Sequence, residues 1–204
     1  ALGLPLALAT FWLLNPPLWH DPVGGMSRFV ELTLGRAARP GQNISIQFLG
    51  RMHNLDHPLP WYNTLFWTAV TVPLGTLALA LTGIGRVMRR RDAFGVLVLL
   101  QWLVLIVVRA LPGIPPHDGV RLFLPAFGFL AMLAGIGGGW LWNWARGSQR
   151  ANRSVAVAGL LLLWIAVGLA SQWTYWPQLL SYYNLAIGGL RGATALDMEP
   201  TYYW

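Results

Sequence analysis

The first group of residues that could do chemistry lies directly before a long apolar run. It contains His53, Asp56 and His57, followed by Tyr62 and Asn63. Imidazole and carboxylate groups can bind a divalent metal ion, but no helix is predicted here to place the three side chains on one face. An ordinary hydrogen-bonded loop is the alternative. We predict that His57, Tyr62 and Asn63 contact a polar substrate, and we assign no metal or other cofactor.

A second cluster, His117, Asp118 and Arg121, precedes another apolar run. A guanidinium at the start of such a run is costly unless it is paired or faces a water-filled cavity. Its planar set of donors matches the oxygens of a phosphate group. We therefore predict that Arg121, with His117 and Asp118, binds a phosphate or another part of a substrate. A local ion pair between Arg121 and Asp118 is the alternative.

A third segment combines the run Tyr182-Tyr183-Asn184 with glycines at 188, 189 and 192. The glycines permit a tight backbone path. No strand is predicted before them and their spacing does not fit a dinucleotide-binding loop. The residues alone indicate a structured segment of unknown role. No Ser-His-Asp arrangement, Walker loop or carboxylate pair is evident in the sequence, so no catalytic residue is assigned.

The elements that must position these clusters are apolar helices. Hydrophobic residues make up 55% of the 204 residues and charged residues only 10%, against about 25% charged in soluble domains. The sequence predicts an all-α fold, a polytopic transmembrane helical bundle with four full spans and one truncated span. The truncated span covers 1–14, and the full spans cover 62–85, 93–110, 122–144 and 154–173. A spanning helix needs about 20 apolar residues.

The arginines predict the orientation of the bundle. Seven of the fourteen lie in two short islands, at 86–92 and 146–153, and there is no lysine. Loops rich in arginine remain in the cytoplasm, so 15–61, 111–121 and 174–204 are predicted to be extracytoplasmic. The net charge of +7 belongs to loops beside the bilayer, where it meets lipid headgroups. Nucleic acid is therefore not predicted as a partner.

Two further features concern packing. Apolar residues recur at helical spacing over 26–38, between a Gly-Gly pair and a Pro-Gly pair, which predicts an extracytoplasmic helix lying in the membrane interface. Ala131, Gly135 and Gly139 recur every four residues, which predicts close packing of a neighbouring helix. The sequence begins inside an apolar run, and we expect it to be an internal piece of a longer protein.

Taken together, the three clusters resemble the later half of a membrane glycosyltransferase of the GT-C class. The similarity is to family 39, which includes protein O-mannosyltransferases and aminoarabinose transferases. The motifs that carry it are His57-Pro58 with Trp61-Tyr62, His117-Asp118-Gly119 with Arg121 and Pro125, and Tyr182-Tyr183-Asn184 with Gly188-Gly189 and Arg191-Gly192.

The resemblance implies inverting transfer of a sugar from a polyprenyl-phosphate carrier to an acceptor, at the outer face of a bacterial inner membrane. The general base of such enzymes is an acidic residue in the first extracytoplasmic loop, which would precede Ala1. Arg121, with His117, would bind the carrier phosphate and stabilise the charge that develops on it. His57, Tyr62 and Asn63 would line the sugar or acceptor pocket.

Two other functions are compatible with the sequence. A transporter or flippase segment would carry ionisable or helix-breaking residues at matched positions of two repeats, and no internal repeat is found. A non-catalytic membrane subunit would not need clusters of His, Asp and Arg at one membrane face.

Overall fold

The structure is a computed structural model that describes residues 3–34, 45–111, 114, 116, 119–147 and 151–198. The chain divides into two compact units, Ala1–Ile44 and Ser45–Trp204. The described residues form eight α-helices and one two-stranded sheet. The predicted all-α fold is therefore confirmed, apart from that short sheet.

Unit 1 contains α1 (Gly3–Leu13) and α2 (Pro22–Leu34). The predicted apolar segment at the start of the chain is α1. Two tryptophans hold the turn that follows it: the Trp12 indole donates to the carbonyl of Leu18 at 3.2 Å, and the Trp19 indole donates to the carbonyl of Trp12 at 3.0 Å. Their rings lie 6.5 Å apart.

The predicted interfacial helix over 26–38 begins earlier than expected. Its first residue is Pro22, because the Asp21 carboxylate accepts the backbone N–H of Gly24 at 2.9 Å and caps the first turn. Gly24 and Gly25 therefore lie inside the helix, and the prediction that they precede it is wrong. The predicted end of the helix falls outside the described residues, and its placement in the interface stays a prediction.

The described residues of unit 2 form a hairpin and six α-helices. These are β1 (Ile46–Phe48), β2 (Arg51–His53), α3 (Asn63–Thr71), α4 (Leu74–Arg90), α5 (Ala93–Ala110), α6 (Pro125–Arg146), α7 (Ala151–Tyr175) and α8 (Gly189–Ala195). Helices α5, α6 and α7 are long and apolar enough to cross a membrane. Three of the four predicted full spans thus have a matching helix, which indicates a membrane protein.

The segment predicted as a full span, 62–85, is not one continuous helix. Helix α3 ends after nine residues and α4 has 17. Between them Val72 and Pro73 are extended, both with ψ of 136°. Proline has no N–H to donate and disfavours helical backbone at the residue before it. The break at Val72–Pro73 therefore follows from Pro73, which lies inside the predicted span 62–85.

The predicted arginine-rich loop 86–92 is mostly helix. Helix α4 continues to Arg90, and the Asp92 carboxylate already caps α5 by accepting the N–H of Gly95 at 2.8 Å. Only Arg91, with φ of +51°, and Asp92 connect the two helices. Arginine is a good helix former, so a run of positive charge does not by itself end a helix.

The second arginine island is also short. Helix α6 reaches Arg146 and α7 begins at Ala151. Across this connection the Arg153 guanidinium lies 5.0 Å from the centre of the Trp144 ring, a cation–π contact. A side chain from each helix thus makes contact across the α6–α7 connection.

Two glycines allow α4 and α6 to pack closely. A Cβ atom at Gly83 would overlap the carbonyl oxygen of Leu133, and one at Gly137 would overlap the carbonyl oxygen of Leu79. The two backbones therefore touch at a place where only glycine fits.

The packing stripe predicted on α6 is wrong. Ala131, Gly135 and Gly139 are exposed, and a Cβ atom at either of the two glycines would have no neighbour within 4 Å. The face of α6 that packs is instead the one that carries Leu133, Ala134 and Gly137. Four-residue spacing identifies a row of small residues that could pack against another helix. The position of the partner helix decides which row does so.

Candidate functional site

One end of unit 2 is built on a buried aromatic core. Phe48, Trp67, Phe123 and Tyr183 are at most 2% exposed and belong to one hydrophobic cluster. They come from the hairpin, from α3, from the segment before α6 and from the segment after α7. The core therefore joins the three segments in which the sequence predicts functional residues. We call this part of unit 2 the aromatic end.

The hairpin of β1 and β2 inserts Phe48 into this core. Phe48 pairs with Arg51, so Leu49 and Gly50 form a two-residue turn, with φ of +49° and +73°. Positive φ at both turn residues matches the twist of a hairpin. The Phe48 ring centre lies 5.5 Å from that of Phe66.

This hairpin was not predicted from the sequence. Its signal is weak: Ile46 and Phe48 alternate with Gln47, and Gly50 follows two residues later. Ile46 and Phe48 are buried, and Gln47 between them is partly buried. Strands of three residues are too short for alternation to be distinguished from chance.

Asn54 shapes the turn that carries His57. Its side-chain oxygen accepts the backbone N–H groups of Asp56 at 2.9 Å and His57 at 2.8 Å, as in an Asx turn. The His57 side chain is exposed. His53 instead lies with Nδ1 3.1 Å from the carbonyl of Pro58. Within the described ranges no three His, Asp or Glu residues form a group that could hold a metal ion.

Tyr62 and Asn63 begin α3 in different environments. Tyr62 is 40% exposed, and its ring lies between those of Trp61 at 5.8 Å and Phe48 at 6.4 Å. Asn63 is only 1% exposed, and its side-chain amide donates to the carbonyl of Pro60 at 2.7 Å. Tyr62 is thus available to a ligand at the surface, whereas Asn63 holds the backbone that enters the helix.

Arg121 is presented to the surface by a short 3-10 helix, Arg121–Phe123. Val120 and Phe123 are buried in the aromatic core, and the N–H of Phe123 donates to the carbonyl of Val120 at 3.1 Å. Arg121 lies between these two anchors and is exposed. His117 and Asp118 lie outside the described residues, so the predicted cluster is placed only through Arg121.

The aromatic end also contains polar atoms that are buried without a hydrogen-bond partner in the described part of the chain. They include the side-chain oxygen of Asn63, the indole N–H of Trp67 and Nε of Arg109, in the last turn of α5. An unpaired buried donor or acceptor costs about 1–3 kcal/mol and calls for an explanation. This end thus has hydrogen-bonding capacity that its described residues do not use.

Asn184 gives the third segment a structural role. Its side-chain amide donates to the carbonyls of Ala69 at 2.6 Å and Val72 at 2.8 Å. Its backbone N–H donates to the carbonyl of Val70 at 2.8 Å. These carbonyls lose their helical partners at the break before Pro73. One residue from the segment after α7 therefore donates hydrogen bonds to the carbonyl groups freed at the break. Spans interrupted by proline require such donors.

The glycines of the third segment are required by the backbone. Gly188 and Gly189 have φ of +82° and +65°. A Cβ atom at Gly192 would overlap the carbonyl oxygen of Ile187. The chain then reaches the hairpin turn, where the N–H of Gly50 donates to the carbonyl of Asp197 at 3.2 Å. This pattern explains the glycine spacing without a bound phosphate.

No family model matches the chain, and neither a curated protein nor a solved structure was found to be similar to it. The resemblance to family 39 therefore depends on the motifs alone.

The aromatic end combines three kinds of exposed or part-exposed group over a rigid apolar base. They are the imidazole of His57, the phenol of Tyr62 and the guanidinium of Arg121. Arg121 is able to bind an anion, and His57 and Tyr62 are able to hydrogen-bond a hydroxylated ligand.

Proposed function

We propose that this chain is part of an integral membrane glycosyltransferase. It moves a sugar from a polyprenyl-phosphate carrier to an acceptor on the extracytoplasmic face of the membrane. The observation that carries the proposal is the convergence of the three motif-bearing segments on one aromatic core. The resemblance predicts that these segments form one site, and residues far apart in the chain are needed at such a site.

Arg121 binds the carrier phosphate in this proposal. It is exposed beside α6, a helix able to cross the membrane, so a phosphate can reach it while the isoprenoid tail remains in lipid. Its guanidinium stabilises the negative charge that grows on the phosphate as the glycosidic bond breaks. His117 and Asp118 assist from the same loop. No residue of this chain is assigned as the general base.

His57 and Tyr62 face the sugar or the acceptor. Both lie on the hairpin side of the aromatic core, and His57 is exposed. Asn63 supports them indirectly, because its buried amide holds the carbonyl of Pro60 where the chain enters α3. Hydroxyl-rich ligands are bound by a few polar groups of this kind set among aromatic rings.

The orientation follows from charge. The arginines at the ends of α4 and α6 favour a cytoplasmic position for those ends, and in this proposal the aromatic end faces the outside. This puts the site on the side of the bilayer that the proposed reaction requires.

The test compares sugar transfer by membranes that contain the full-length protein or its Arg121→Ala variant, with a radiolabelled polyprenyl-phosphate sugar as donor. We expect the variant to lose transfer by about 100-fold or more, as when one charge-stabilising donor is removed. Arg146→Ala is the matched control, because Arg146 is exposed at the other end of α6. Equal transfer by both variants, at equal membrane content, would refute the role of Arg121.

A transporter is the second candidate, favoured by the helix break at Val72–Pro73. Interrupted helices form the substrate sites of many transporters. Here, however, Asn184 donates hydrogen bonds to the carbonyls of the break, and no Asp, Glu, His or Arg lies at it in the described part of the chain. Movement of a labelled lipid-linked sugar across vesicles, without transfer to any acceptor, would favour this candidate over the transferase.

A further inference from the structure

Two adjoining cavities, of about 570 and 510 Å³, lie beside the break between α3 and α4. Helix α7 and the segment after it form their other walls. Both volumes are in the range of small-molecule sites. The residues that line both cavities are Pro73, Trp164, Gly168, Ser171, Tyr175 and Tyr182. We call the pair the Pro73 cavity.

The Pro73 cavity is apolar along α7 and polar where α7 ends. Its apolar part includes Leu160 and Leu163, which are 65% and 60% exposed. Its polar part contains the hydroxyl groups of Ser171, Tyr175 and Tyr182. Because α7 is able to cross a membrane, the apolar part opens toward lipid tails and the hydroxyl groups lie near one membrane surface. This arrangement fits an amphiphile that lies along the helix.

The walls of the cavity are held in place by contacts across the fold. The Trp164 indole donates to the Thr76 hydroxyl at 3.1 Å, which joins α7 to α4. The rings of Tyr175 and Tyr182 meet edge to face at 5.3 Å. The hydrogen bonds from Asn184 to the carbonyls of Ala69 and Val72 fix the wall formed by the break. The cavity is therefore preformed and needs no rearrangement to accept a ligand.

The charge of the lining decides which headgroup fits. None of the described residues around the Pro73 cavity carries a charge. Burial raises the pKa of the Tyr182 phenol, although the Ser171 hydroxyl opposes this by hydrogen bonding to it. Tyr182 thus remains neutral. A phosphate would lose its hydration here without gaining a cation, whereas a hydroxyl or ester group can pair with the neutral hydroxyls.

We propose that the Pro73 cavity binds one molecule of an uncharged membrane lipid, with its chains along α7 and its hydroxyl or ester groups at Tyr175 and Tyr182. This site is distinct from the proposed carrier site, which depends on the positive charge of Arg121. It does not require the chain to be a glycosyltransferase.

The test measures lipid binding to the full chain by native mass spectrometry, after purification in detergent and removal of lipid. Dioleoylglycerol and dioleoylphosphatidylglycerol are offered together, because they have the same chains and differ in headgroup charge. We expect one dioleoylglycerol to bind per chain, in preference to the anionic lipid. Equal binding of both lipids, or preference for the anionic one, would overturn the assignment of an uncharged headgroup.

Two glycines of α7 provide a matched pair of variants. A Cβ atom at Gly168 or at Gly159 would meet no other atom within 4 Å, but of the two only Gly168 lines the cavity. Gly168→Leu should weaken dioleoylglycerol binding by about tenfold or more, as steric changes in apolar pockets do, and Gly159→Leu should leave it unchanged. The same affinity in both variants would overturn the location of the site.

A third variant tests the headgroup contact and does not depend on Gly168→Leu being folded. Tyr182→Phe keeps the aromatic ring and removes the hydroxyl group, and we expect about fivefold weaker binding of dioleoylglycerol. Unchanged binding would overturn the placement of the headgroup. Arg121→Ala should bind dioleoylglycerol normally, so a failure of this proposal can be distinguished from a failure of the proposed transferase.

Discussion

At one end of unit 2, α4 passes into α5 through only Arg91 and Asp92, and α6 passes into α7 over 147–150. We call this the arginine end. At the aromatic end, α5 and α6 are connected by 111–124, and a long segment follows α7. A two-residue connection can do no more than reverse the chain. Longer connections are able to fold against one another, and here Val120, Phe123 and Tyr183, from the described parts of these connections, belong to one buried core.

The two ends also differ in how they use polar groups. At the arginine end, Arg89, Arg90 and Arg146 are exposed, and the Asp92 cap serves one N–H group. At the aromatic end, Asn184 is 1% exposed and satisfies several carbonyls of another helix. Exposed charge can orient a membrane protein without any tertiary contact, whereas buried polar groups depend on partners far away in sequence. The aromatic end is therefore the part of unit 2 that is suited to a specific site.

The largest expected effect is at the buried cap. Asn184→Ala leaves the carbonyls of Ala69 and Val72 without their donor, so we expect the free energy of unfolding to fall by about 4 kcal/mol. Thermal unfolding of the purified chain in detergent measures this. The control is Asn143→Ala, at an exposed position of α6. A loss no greater than that of the control would show that the break does not depend on Asn184.

The next effect concerns the α4–α6 contact that joins the two ends. Gly83→Ala forces a methyl group against the carbonyl of Leu133, and we expect it to destabilise the protein by about 3 kcal/mol. Gly139→Ala on α6 meets open space and should change stability by less than about 0.5 kcal/mol. Chemical denaturation of both variants provides the measurement. Similar stabilities would mean that the helices do not touch at Gly83.

A smaller effect is expected at the arginine end. Asp92→Ala removes the cap on the N–H of Gly95, which costs about 1 kcal/mol at typical caps. The same thermal unfolding assay applies, with Asp92→Asn as a control that retains an oxygen acceptor. If Asp92→Ala lowered the free energy of unfolding as much as Asn184→Ala, burial of the cap would not explain the expected difference between the two variants.

The smallest effect is a dependence on alkaline pH at the Pro73 cavity. Burial raises the pKa of Tyr182 above its value of 10.0, so the folded state holds this proton more tightly than the unfolded state. Its contribution to stability is complete below pH 10 and is lost as the pH rises through the raised pKa. The melting temperature of the wild type should therefore fall more than that of Tyr182→Phe above pH 10. Parallel curves would contradict this.

Much of the helical framework is predictable from sequence. Helices α5, α6 and α7 match the predicted spans closely at one or both ends because hydropathy over about 20 residues depends only on the local chain. Pro73 marks the place where α3 gives way to α4 for an equally local reason. The clusters at His57, Arg121 and Asn184 are visible as polar residues between apolar runs.

The site itself depends on contacts that the sequence does not display. The hairpin at 46–53 gains its stability from the Phe48 contacts with α3, and its strands are too short to be recognised alone. The stripe Ala131, Gly135 and Gly139 is as regular as the face that packs, and only the position of Gly83 on α4 decides between them. The hydrophobicity of a segment depends on its own residues, so the sequence shows which segments enter lipid. The contacts of a polar side chain depend on residues that are distant in sequence. For that reason the sequence by itself determined which segments are apolar helices, and only the tertiary structure decided which polar residues meet.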